Sequence, residues 1–90
     1  MTVADTLRSK LETAFSPASL EIIDESHKHA GHVGARPEGE THFRVSIVSE
    51  AFAGATRVQR HRLVHDVLAE ELRERVHALA LKLKAPNEVS

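Results

Sequence analysis

Phe43, Val45 and Ile47 alternate with Arg44, Ser46 and Val48, and only extended backbone matches an apolar period of two, so residues 41–49 are predicted to form a strand whose odd positions face a core. A lone strand buries nothing, and the rest of the chain must supply the other wall. Val3, Leu7, Leu11 and Ala14 recur at steps of four and three behind an approximate capping box of Thr2 and Asp5, which predicts an amphipathic first helix ended by Pro17. Leu20 and Ile22 alternate imperfectly with Ser19, Glu21 and Ile23, which predicts a strand over 18–26. Residues 49–55 form a turn, with Phe52 as its apolar anchor and Gly54 at the chain reversal. A second capping box, Thr56 with Gln59, precedes Val58, Val64, Val67, Leu68 and Leu72 at helical spacing, so one longer helix is predicted over 57–74. Residues 76–83 then place His77, Leu79, Leu81 and Leu83 on one side of a third strand, and Pro86 ends it.

The element order is αββαβ, and its simplest burial is an α/β (α+β) sandwich, a three-stranded sheet with the helices on one face. Ninety residues make one small domain, here 1–90, with a loop over 28–40 rich in Gly31, Gly34, Pro37 and Gly39 and a tail over 85–90. Twelve basic and thirteen acidic residues nearly cancel, so no global field draws the chain to nucleic acid or to a membrane. Residues 1–15 contain no continuous apolar run, which predicts neither a signal peptide nor a membrane span, and a cytoplasmic location is expected. The absence of cysteine removes disulfides and thiolate chemistry and leaves histidine and carboxylate as ligands.

Histidine is where the sequence points to chemistry. Of seven, His27, His29, His32 and His42 fall around the glycine-containing loop, and imidazole is the commonest protein metal ligand. His77 opens the third strand at the rim of an apolar face, both positioned and reachable. A loop folded over that rim brings His29 or His32 to His77 and offers two nitrogens to one metal, too few for a closed site, so a partner must complete it. Rieske centres set the precedent, with two histidines in place of two thiolates on one iron. On a helical wheel His61 and His65 share a side with Val64, Leu68 and Leu72, which predicts that both point to the core. Arg57, Arg60 and Arg62 crowd the first turns of the same helix and form a candidate anion or nucleic-acid site. Gly31-His32-Val33-Gly34 has the G-x-x-G spacing of KH domains, but joins two strands where a KH loop joins two helices. No nucleophile motif surrounds any serine, so the expectation is a protein that is not an enzyme.

Glu40-Thr41-His42-Phe43-Arg44-Val45, Ile47-Val48-Ser49, Phe52, Gly54, Arg60-His61-Arg62-Leu63-Val64, Ala69-Glu70-Glu71-Leu72 and Val76-His77-Ala78-Leu79-Ala80, in this order, resemble the BolA family across nearly the whole chain. That resemblance implies a class II KH-like αββαβ fold. It also implies partnership with a monothiol CGFS glutaredoxin, sharing a [2Fe-2S] cluster held by the glutaredoxin cysteine, glutathione and ligands of the BolA-like chain, in cluster trafficking and iron homeostasis. The chain alone is then a monomer, and with glutaredoxin a heterodimer. The ligands carried over are His77 and one residue of the variable loop. Lacking cysteine, this chain looks like the histidine-loop type, with His32 favoured over His29 because its flanking glycines extend its reach. Some BolA proteins are described as DNA-binding transcriptional regulators, a role that would recruit Arg57, Arg60 and Arg62.

Overall fold

The computed structural model describes residues 2–25 and 42–89. The predicted loop 28–40, with His29 and His32, lies outside the described residues, as does His27. Helix α1 (Val3–Phe15) starts at the predicted capping box, where Thr2 Oγ1 accepts from the Asp5 N–H and the Asp5 carboxylate accepts from the Thr2 N–H. The Thr2 backbone N–H, and after it the Thr2 hydroxyl, hold the Asp5 carboxyl below its usual range. The buried stripe of α1 is Leu7, Leu11 and Phe15; Ala14, expected on it, is exposed, because the aromatic ring one residue later fills the core position.

Strands β1 (Ser19–Asp24) and β2 (His42–Val48) are antiparallel, with Leu20 opposite Ile47 and Ile22 opposite Val45. Strand β3 (Ala78–Lys84) runs parallel to β2 on its other side, so the sheet order is β1-β2-β3 with the cleanest alternating segment in the centre. Parallel strands cannot be joined by a tight turn, and the helical stretch between them is the crossover. The register pairs Phe43 with Leu79, Val45 with Leu81 and Ile47 with Leu83, which gathers the apolar side chains of all three strands on one face. Against it pack Leu7, Leu11 and Phe15 of α1, Phe52 of the turn, and Val64 and Leu68 of the crossover. Phe52 is fully buried with its ring centroid 5.1 Å from that of Phe15, and Gly54 takes φ 77° in the chain reversal.

The crossover is not one helix. It divides into α2 (Arg57–Val67) and α3 (Ala69–Glu74) at Leu68, whose backbone leaves helical geometry at φ −102°, ψ 16°. No Gly or Pro marks the break. Leu68 is fully buried, and past it Glu71 is buried where its carboxylate meets Lys10 Nζ of α1 at 2.7 Å, so tertiary contacts aim α3. The carboxylate in turn holds the Lys10 ammonium above its usual range. The third strand begins at Ala78, two residues later than predicted, because the buried Val76 still belongs to the helix end, its N–H donating to the Glu71 carbonyl. Past Lys84, Ala85 is buried and Pro86–Glu88 form a 3-10 turn.

Ser49 joins the layers. Its fully buried hydroxyl donates to the Phe15 carbonyl at 2.6 Å and accepts from the Ala51 N–H at 3.1 Å. The Phe15 carbonyl is one of the acceptors that a helix C-terminus leaves without an internal donor, so Ser49 caps α1 from the end of β2. Ser49→Ala is therefore expected to lower stability by about 1–3 kcal/mol, the cost of a buried acceptor left alone. Urea unfolding midpoints at unchanged slope measure this.

Candidate functional site

Parallel pairing puts the starts of β2 and β3 side by side, and a histidine stands at each. His42 is the first residue of β2 and pairs in register with Ala78; His77 immediately precedes β3. The two imidazole rings lie nearly parallel, 18° apart, with centroids separated by 6.2 Å. His77 is exposed and His42 half-buried. His77 does not share the half-buried leucine row of Leu79, Leu81 and Leu83, as period-two reading predicted, because the regular strand starts only after it. The Glu25 N–H donates to the His42 carbonyl at 2.7 Å, which fixes the backbone of β2 where the undescribed segment enters.

His77 thus stands at the sheet rim as predicted, and its described neighbour is His42, which the sequence had counted only among the histidines around the loop. The signal was present: a strand–helix–strand order implies a parallel pair, and parallel strands that each start at a histidine bring the two together. Among the described residues no group of three His, Cys, Asp or Glu is placed to hold a metal ion. The described rim therefore offers at most two nitrogen donors, a set that suits an ion or cluster already held elsewhere and does not close around one.

The arginines separate into two kinds. Arg60 is committed to the fold: Nε donates to the Ala55 carbonyl at 3.0 Å, Nη1 to the Leu83 carbonyl at 3.1 Å, and both Nη atoms to the Glu88 carboxylate at 2.6 and 2.9 Å. This fork binds the turn, the end of β3 and the last 3-10 turn into one knot. Arg57 and Arg62 are exposed and make no ion pair among the described residues. An open groove of about 540 Å³ beside the end of β3 is lined by Arg57, Lys82 and Lys84 as well as by the Arg60–Glu88 pair. His61 and His65 do not point to the core. His61 is half-buried, His65 exposed, and only Val64 of α2 is fully buried. At about 100° per residue Val64 lies roughly 60° around the helix from His61 and 100° from His65, and half-buried Val67 draws the inner face further away.

Fold and rim together define a class: small α+β domains that present an open imidazole at the end of a three-stranded sheet. Residues 11–88 match the family of BolA-like proteins, and the chain belongs to that family. It is 51% identical over 89 residues to an uncharacterized protein in the cobS 5′ region of a Sinorhizobium species, covering 98% of this chain and 96% of that one. It is 52% identical over 80 residues to BolA-like protein 1 of Mus musculus, covering 89% of this chain and 56% of the mouse protein, so it spans little more than half of that relative. Identity to the DNA-binding transcriptional regulator BolA of Escherichia coli is 43% over 81 residues, 90% of this chain and 73% of the regulator. Among solved structures, BolA1 from Arabidopsis thaliana superposes with a TM-score of 0.89 at 43% identity, covering 100% of this chain and 98% of that one.

The Arg60 fork and the Ala85 N–H hold the Glu88 carboxyl at about 2, well below its usual 4.5. A carboxylate depressed in the folded state adds stability that is fully present above about pH 4.5 and is lost as pH falls toward 2. Glu88→Gln is expected to destabilise the protein at neutral pH, with the difference from wild type shrinking across that window. Thermal unfolding of both proteins from pH 7 down to pH 2 follows it.

Proposed function

We propose that this chain is a non-enzymatic adaptor that docks on a monothiol CGFS glutaredoxin and co-ligates a shared [2Fe-2S] cluster through histidine, serving iron–sulfur cluster trafficking and iron homeostasis. The observation that carries the reading is the exposed His77 imidazole at the rim of the sheet, backed by the near-parallel ring of His42. His77 is the ligand from the folded rim, His29 or His32 is the second, and the glutaredoxin cysteine and glutathione supply the rest. An open donor set of this kind suits transfer, since a ligand site completed by a partner is dismantled when the partner leaves. Nitrogen in place of sulfur on one iron raises the reduction potential relative to a cluster held by thiolates alone. His42 packs beside the ligand ring and limits its orientations, the role that outer partners play at metal sites. The adaptor is a monomer alone and a heterodimer with its glutaredoxin, and acts in the cytoplasm.

Addition of the protein to a cluster-loaded monothiol glutaredoxin is expected to change the visible absorption and circular dichroism, and His77→Ala is expected to return both to those of the glutaredoxin alone. Identical spectra for wild type and His77→Ala contradict histidine ligation. Because imidazole binds metal only when neutral, the spectral change is also expected to weaken on acidification through the range where free imidazole protonates.

The basic groove favours a second reading, a DNA-binding regulator like its relative in E. coli. Its contacts come from Arg57, Lys82 and Lys84, with Arg62 nearby on α2, while Arg60 serves the fold. A few phosphate contacts predict a slope of roughly −2 to −4 in log affinity against log salt, and Lys82→Ala is expected to reduce its magnitude by about 1. Gel-shift titrations that find no binding at low salt contradict this reading.

A further inference from the structure

We infer that His61 and His65 form a metal site of their own, an open two-nitrogen chelate on the outer surface of α2 for a borderline divalent ion such as Zn²⁺, Ni²⁺ or Cu²⁺. The two histidines are four residues apart on an intact helix, so their Cβ atoms lie about 5–6 Å apart on adjacent turns of one face. Their rings already lie close together, with centroids 6.4 Å apart and planes inclined by 44°. This is the spacing with which helical His-x-x-x-His pairs grip zinc. His61 is half-buried and His65 exposed, so both rings stand at the surface of α2, where side-chain rotation can close them on one ion.

The surroundings set the character of the site. Together with the exposed side chain of Val58, the histidines line a shallow depression of about 330 Å³ that Arg57, Arg62 and Asp66 border. Two guanidinium groups against one carboxylate oppose a dication, so binding is expected to tighten as salt screens them. With two imidazoles and no third ligand among the described residues, water fills the remaining positions. Nitrogen donors select zinc, nickel and copper and leave the oxygen-seeking magnesium and calcium unbound, with Cu²⁺ held more tightly than Zn²⁺. The site is separate from the histidine rim. Arg60, the residue before His61, reaches the Leu83 carbonyl, six residues along from His77, a separation of roughly 20 Å at strand rise.

Titration of the full chain with ZnCl₂, followed through the imidazole resonances, tests the inference residue by residue. The rings of His61 and His65 are expected to shift together along one binding curve, and Mg²⁺ is expected to leave both unmoved. His65→Ala or His61→Ala each removes one arm of the chelate and is expected to weaken the response of the remaining ring on the order of a hundredfold. His77→Ala is expected to leave the curve of the pair unchanged. The inference is overturned if the two rings do not respond to Zn²⁺, if they respond along different curves, or if His61 keeps its affinity in His65→Ala. Both residues lie outside the core, and an unchanged backbone amide spectrum verifies that the variants are folded.

Discussion

The parallel pairing of β2 with β3 governs the rest of the molecule. It requires a crossover, and the crossover covers one face of a three-stranded sheet with Val64 and Leu68 while α1 contributes Leu7, Leu11 and Phe15. It also aligns two strand starts, so the face that makes the core and the rim that carries His42 and His77 follow from one register. A slip by one residue would turn Phe43, Val45 and Ile47 to the open face. The hydrophobic cost of that slip is what holds the imidazoles at their places.

Polar contacts then fasten the parts that the apolar core does not reach. Ser49 ties the end of β2 to the end of α1, Lys10 and Glu71 tie α1 to α3, and Arg60 ties the turn after β2, the end of β3 and the Pro86–Glu88 turn. All three link elements distant in sequence, and Arg60 and Ser49 do so through backbone carbonyls. The exposed chemistry sits between these fastenings: an imidazole rim at one end of β3 and a basic groove at the other.

The apolar periodicity made most of this legible. Alternation around Val45 identified the central strand, the capping boxes at Thr2 and Thr56 marked where α1 and α2 start, and Phe52 and Gly54 were recognisable as anchor and reversal. What local pattern does not encode was missed. Leu68 is a strong helix former and no local signal marks the break there, while the Lys10–Glu71 pair just past it arises only in the assembled fold. A helical wheel gives the relative angles of side chains but not the direction of the core, and a modest error in that direction turned His61 and His65 inward. Arg60 read as a free cation because its partner Glu88 lies 28 residues away. At the rim, His77 was found from its position at a strand start, whereas His42 required the strand pairing as well.

Nitrogen ligation by this chain is the central claim, and pulsed electron paramagnetic resonance on the reduced, cluster-bearing complex addresses it at the iron itself. With ¹⁵N incorporated into this chain alone and a glutaredoxin of natural isotope content, the account predicts strong ¹⁵N hyperfine coupling from directly bound imidazole, with the contribution of His77 lost in His77→Ala. A spectrum free of strong ¹⁵N coupling in the wild-type complex would contradict it.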